Sequence, residues 1–165
     1  MKKNEKSTEI LDCYNIAGQA VAFLASGKAV RHLTIQGRGK QRCNVHRCQR
    51  ENIVDPDHRR SIVEIEIVAA FCGQIAVDAF SHAAKPVFDV NSLDRSVYDA
   101  VRCVCGSDHE ADAMLFWLWC RAENVYFGDG VWFAIGNIAS ELVKSRTIDG
   151  KRLKILYDQA LLQAK

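Results

Sequence analysis

Between residues 8 and 27 the apolar residues Ile10, Tyr14, Ala17, Val21 and Leu24 recur at spacings of four and three, the period of one face of an α-helix. Ile16, Ala20 and Phe23 line a second face, so this helix is apolar most of the way round and has to be enclosed by other elements. Gly27 ends it. The enclosing shell is mostly helical as well. Ser61 with Glu64 forms a capping-box signature ahead of a helix over residues 61–84, and Pro86 marks its break. Leu93, Val97, Val101 and Val104 predict a third helix. Ser107 with Glu110 is a second capping box, opening a helix through Met114, Leu115, Leu118 and Ala122. Trp132, Ile135, Ile138, Ala139 and Leu142 mark a helix over residues 131–145, and Asp149-Gly150 opens a last one with Leu153, Leu156, Tyr157 and Leu161 facing inward. Residues 29–36 read as a short strand carrying Val30, Leu33 and Ile35. Residues 37–60 show no periodicity and read as a long loop or ragged hairpin, which in a compact domain is functional or mobile. The expectation is a mainly α fold of about six helices with one small β-strand or hairpin, a single domain over residues 8–165 behind a disordered polar N-terminus at 1–7.

Composition narrows the class. At 165 residues, 48% hydrophobic and 25% charged, with 10 Gly and 2 Pro, the chain is neither disordered nor a low-complexity repeat. The longest stretch without a charge, residues 13–27, is interrupted by Asn15, Gly18 and Gln19 and is too short to span a bilayer. The basic residues at the start have no apolar stretch behind them, so no signal peptide is expected. Seven scattered cysteines are an odd number and do not read as a secreted disulfide framework. A cytoplasmic domain without a membrane segment is the expected setting.

One stripe of the first helix is polar: Asp12, Asn15 and Gln19. Side chains four apart project from one helix face, the geometry in which a zinc peptidase holds the two His of H-E-x-x-H. Here the order is Asn15-Ile16-Ala17-Gly18-Gln19-Ala20-Val21, and residues 14–24 resemble the H-E-A-G-H-A-V helix of the FtsH family of ATP-dependent zinc metallopeptidases. His32-Leu33-Thr34-Ile35 is similar to the strand that follows in that family, and residues 65–80 to its helix ending A-G-x-A-A-E-E-L-F. Residues 138–156, with Ile-Ala-Ser-Glu-Leu-Val and Thr-Ile-Asp-Gly-Lys, resemble its closing L-x-x-x-x-L-D-G helix pair, so the likeness covers roughly residues 8–160. It implies an FtsH-type metallopeptidase-like domain, and only weakly a homo-oligomer, because the family's ATPase module drives much of its hexamer assembly.

The departures decide the chemistry. Carried over by position, the two His ligands fall on Asn15 and Gln19 and the general-base Glu on Ile16. An ungapped count puts the family's third ligand, an Asp, on Asn91, while the apolar pattern of the next helix favours Asp94. Zinc prefers imidazole, thiolate or carboxylate to a neutral amide, and Ile16 has no atom that could take a proton from water. The family's Glu pair is reduced to Val77-Asp78. The family's membrane anchor and ATPase module have no counterpart here, so the expectation is a stand-alone pseudo-peptidase without catalytic residues or cofactor, a binding or regulatory module for an unknown protein or peptide partner. An active metallopeptidase with relocated ligands is the alternative reading. Asn15, Gln19 and Asp94 are expected to hydrogen-bond one another, directly or through a water, where zinc would lie, or the amides to face solvent along the cleft.

Outside that stripe, Cys43, His46 and Cys48 could supply three soft ligands, one short of a structural zinc site, and Cys103 and Cys105 point to different sides of a helical pattern. Ordinary reduced thiols are the competing reading. His32, His58, His82 and His109 have no mutual ligand spacing and read as surface or capping residues. No Asp or Glu occurs in residues 14–50, whereas Lys28, Arg31, Arg38, Lys40, Arg42, Arg47 and Arg50 are all basic. A patch of Arg38, Lys40, Arg42, Arg47 and Arg50 favours an acidic partner or a nucleic-acid backbone, or is simply a solvated loop; the loop has no aromatic residue on which a base could stack. A nucleic-acid-associated protein is therefore the second alternative. Trp117, Trp119, Trp132 and Phe133 read as core or interface, and Trp117 and Trp119 cannot share a helix face.

Overall fold

A computed structural model of the chain describes residues 2–36, 43–45, 55–81, 87–90 and 93–164, with the side chains of 2–7 and 43–45 outside the description. Its elements follow in the order α1 (Lys2–Ala25), β1 (Val30–Thr34), β2 (Cys43–Val45), α2 (Pro56–Phe80), α3 (Arg95–Arg102), α4 (Asp108–Tyr126), α5 (Val131–Ser145), β3 (Thr147–Asp149) and α6 (Gly150–Gln163). The mainly helical class is as the periodicity predicts. No helix among the described residues is long and apolar enough to cross a membrane.

The central helix is α1, whose residues Cys13, Ile16, Ala17, Ala20, Val21, Ala22 and Phe23 are all buried. It packs against α2 on one side and α5 on another. The helix starts at Lys2, nearer the N-terminus than its apolar pattern. It ends at Ala25, the chain turns off at Gly27, whose φ of +73° only glycine adopts cheaply, and the Lys28 N–H caps the Phe23 carbonyl at 2.9 Å.

The start of α2 differs from the sequence reading. Asp55 is its N-cap, accepting the Asp57 N–H at 3.1 Å, and Pro56 is its first residue. An Asp-Pro pair reads as a loop signal, yet at the first helical position proline loses no hydrogen bond and its φ already suits the helix. Glu64 is therefore mid-helix rather than part of a capping box, where it meets Arg60 at 3.4 Å and Arg121 at 3.5 Å. The helix also ends at Phe80, short of residue 84, where the Ser81 hydroxyl takes the Val77 carbonyl at 2.8 Å. By contrast, the second capping signature holds. Ser107 Oγ accepts the Glu110 N–H at 3.1 Å, while the Glu110 carboxylate reaches one residue beyond the usual target, to the Gly106 N–H at 2.7 Å.

The β element is larger than one strand or hairpin: a three-stranded antiparallel sheet in the order β2-β1-β3. A bulge between Val30 and His32 lets Val30 and Leu33, three apart, both turn into the core. The third strand escaped the sequence reading because Ile148 is its one inward side chain, too few to show alternation. Gly150 follows it, so close to β1 that a Cβ there would sit 2.2 Å from the Val30 carbonyl oxygen. Only glycine lets the first turn of α6 rest on the strand in this way.

Candidate functional site

The polar stripe of α1 lies over its crossing with α2. Both helices present glycine there. A Cβ on Gly18 would stand 2.6 Å from the Cys72 carbonyl oxygen, and one on Gly73 would stand 2.7 Å from the Asn15 carbonyl oxygen. The backbones are thus in direct contact, and the side chains of Asn15 and Gln19 lie over Gly73, 3.2 Å and 3.0 Å from the position of its missing Cβ. The two amides bond to each other: Gln19 Nε2–H donates to Asn15 Oδ1 at 2.6 Å. Beside them Tyr14 stacks on Phe80 at 4.0 Å and meets Trp132 at 5.8 Å, and burial raises the Tyr14 hydroxyl above its ordinary value. The amide pair is half-buried and its two side chains are bonded to each other, which differs from two amides simply facing open solvent.

Asp94 does not join them directly. It is the exposed N-cap of α3 and accepts the Ser96 N–H at 2.7 Å. Hydrogen bonds from Ser96, from its hydroxyl first and then from its N–H, hold the carboxyl below the usual range. Ile16, 2% exposed, is part of the core. Asp78, at the position of the family's Glu pair, holds Gln74 Nε2 at 2.9 Å on its own helix.

This donor set does not fit the zinc that the resemblance implies. Two neutral amides are engaged with one another, the carboxylate caps a different helix, and the position of the general base is apolar. Among the described residues no group of three or more His, Cys, Asp and Glu is placed to hold a metal ion.

Cys43 lies in β2, opposite Leu33, but its side chain is outside the described residues, as are His46 and Cys48. The patch of Arg38, Lys40, Arg42, Arg47 and Arg50 lies outside them too, together with His82 and Asn91. Of the basic run, Lys28 and Arg31 are described, and Arg31 is exposed on β1. Cys103 is exposed at the end of α3, whereas Cys105 is half-buried with its sulfur 3.6 Å from Met114 Sδ. Trp119 is buried against Phe71 and Phe88, while Trp117 is exposed on the other side of α4 under the Arg121 guanidinium.

A second surface feature was not legible from residue spacing. Where α6 rests on β1, a shallow groove of about 860 Å³ runs between them, bordered by Arg31, Lys151, Lys154 and Ile155. Arg31 is more than a hundred positions from the other three in sequence, and the β1–β3 pairing brings them together. The available sequence signal was the charge of the first turns of α6, Lys151-Arg152-Leu153-Lys154.

The molecule is thus a mainly helical domain around one largely buried helix, with a small sheet on its side and a hydrogen-bonded amide pair over the close α1–α2 crossing. No family model matches the chain, and no curated protein matches it significantly.

Proposed function

We propose that this chain is a catalytically inactive, FtsH-type metallopeptidase-like module that acts by binding a protein or peptide partner. The supporting observation is the Asn15–Gln19 amide bond at 2.6 Å over Gly73. The two positions that would correspond to zinc ligands hydrogen-bond one another along α1, which engages one donor and one acceptor of the pair with each other. Ile16 between them packs into the core, where a general base would have to meet water. The scaffold keeps the close helix approach at Gly18 and Gly73 and has replaced the groups that chemistry would require.

The test is metal content by mass spectrometry on protein purified without chelator or affinity-tag metal, together with cleavage of fluorescently labelled unfolded casein. The expected result is substoichiometric zinc and no cleavage above a heat-inactivated control. Zinc near one per chain would overturn the reading, and Cys43→Ser with Cys48→Ser would then separate a structural ion from a catalytic one.

A further inference from the structure

We propose that the groove between β1 and α6 docks a short acidic and apolar peptide segment of a partner protein. Its floor is aliphatic: Ala29, Val30 and Ile155 line it, and Ile155 is 47% exposed. Its rim carries Arg31 from the strand, Lys151 and Lys154 from the first turns of the helix and the Asp149 carboxylate at the helix start, three cations to one anion. The carboxylates nearby are already committed. Asp149 accepts the backbone N–H groups of Lys151 and Arg152 at 2.9 Å and 3.0 Å as the α6 N-cap. Asp158 is held by Lys154 Nζ at 2.5 Å and 2.6 Å, and Arg152 turns away to Glu141 at 3.3 Å. Among the described residues Arg31 and Lys151 have no direct ion pair, although the charge of Lys151 acts on Asp149 beside it.

An apolar floor beside a rim in which cations outnumber carboxylates three to one matches a chain segment that alternates carboxylates with aliphatic side chains: the carboxylates reach the rim while the aliphatic groups cover Ile155. The groove volume, about 860 Å³, is enough for several side chains of an extended segment. A nucleic acid fits less well. The lining holds no aromatic residue on which a base could stack, and a phosphate backbone would leave the aliphatic floor against charged oxygens. The proposal takes its biological sense from the binding-module reading but uses none of the residues of the amide pair. Failure of either test therefore leaves the other standing.

The experiment is fluorescence anisotropy with the full chain and a fluorescein-labelled peptide alternating Glu with Leu, beside the same peptide with Gln for Glu. The acidic peptide should bind with micromolar affinity and weaken severalfold as NaCl rises from about 50 mM to about 300 mM. The Gln peptide should bind at least about tenfold more weakly, a difference of about 1.4 kcal/mol. The double variant Arg31→Glu/Lys151→Glu and the single variant Ile155→Ser should each weaken binding at least about fivefold with unchanged thermal unfolding. All three positions are exposed; should the double variant unfold, Arg31→Gln/Lys151→Gln replaces it. No saturable binding below about 1 mM, equal affinity for the Gln peptide, or wild-type affinity in either variant overturns the proposal. So does a duplex DNA of mixed sequence that displaces the labelled peptide at lower concentration than unlabelled peptide does. Concentration-dependent dimerisation that the acidic peptide cannot reverse would likewise overturn it, assigning the groove to a second copy of the chain.

Discussion

Two glycines carry the centre of this molecule. At Gly18 and Gly73 each helix leaves room for the backbone of the other, and a methyl group on Gly18 would fall 2.6 Å from the Cys72 carbonyl oxygen and 2.9 Å from the Gly73 Cα. Both obstacles are backbone atoms that no rotamer change can move. Gly18→Ala should therefore destabilise the fold by about 1–3 kcal/mol, read as a lower urea midpoint at unchanged slope. The same alanine at Gly136, where nothing lies within 4 Å, should be neutral or slightly stabilising, because it improves a helix interior at no steric cost. The bond between Asn15 and Gln19 was legible in part, because a spacing of four brings two side chains together on one helix. The position of Asp94 was not. Whether a lone carboxylate ahead of a helix serves that helix or reaches across to another depends on the path of the chain, and here the Ser96 N–H two residues away was the nearer donor.

Each helix start is a local contest for unpaired backbone N–H groups, and carboxylates win three of the four that a described side chain caps. Asp55, Asp94 and Asp149 cap α2, α3 and α6, and the hydroxyl of Ser107 caps α4. The Asp149 carboxyl lies below its ordinary range, chiefly through the Arg152 N–H and then through the N–H and charge of Lys151. Since the folded form is the stronger acid, this cap contributes fully above the ordinary carboxylate range, and its contribution is lost as pH falls through the lowered folded value. Asp149→Asn keeps an acceptor that does not titrate. Its thermal midpoint should fall less steeply than that of the wild type between about pH 5 and about pH 2, and parallel profiles would show that the cap is not a source of acid sensitivity. At this scale α4, α5 and α6 were well marked, because long apolar periods and flanking caps agree. The start of α2 was misread because Asp-Pro is both a turn signal and a good helix opening, and only the register of the following turns tells them apart. The short third strand left no periodic trace, and the basic groove beside it was invisible for the same reason.

For the molecule as a whole, the thiols report how the core opens. Burial, helped by the negative charges of Glu9 and Asp12, pushes the Cys13 thiol up to about 11, and burial alone pushes Cys72 up to about 12. Cys72 also sits at the α2–α4 contact, its sulfur 3.4 Å from the Ala122 carbonyl oxygen. Thiolate is the reactive form, so both should resist alkylation at neutral pH while exposed Cys103 reacts. In a pulsed iodoacetamide experiment read by mass spectrometry, Cys13 and Cys72 should become labelled together, at the denaturant concentration where the helices unfold. Earlier labelling of Cys72 alone would mean that α4 leaves the core before the central helix does. The sheet has a consequence of a different kind. Leu33 pairs with Ile148, and the Ile35 N–H reaches the Arg146 carbonyl oxygen at 3.0 Å, so β1 finds its second neighbour only after nearly all the helices have been translated. During synthesis on the ribosome the strand waits with one edge unfilled, open to any extended segment that reaches it first. A premature stop codon between α5 and β3 would leave that edge open for the life of the truncated product, marking it for aggregation or chaperone capture.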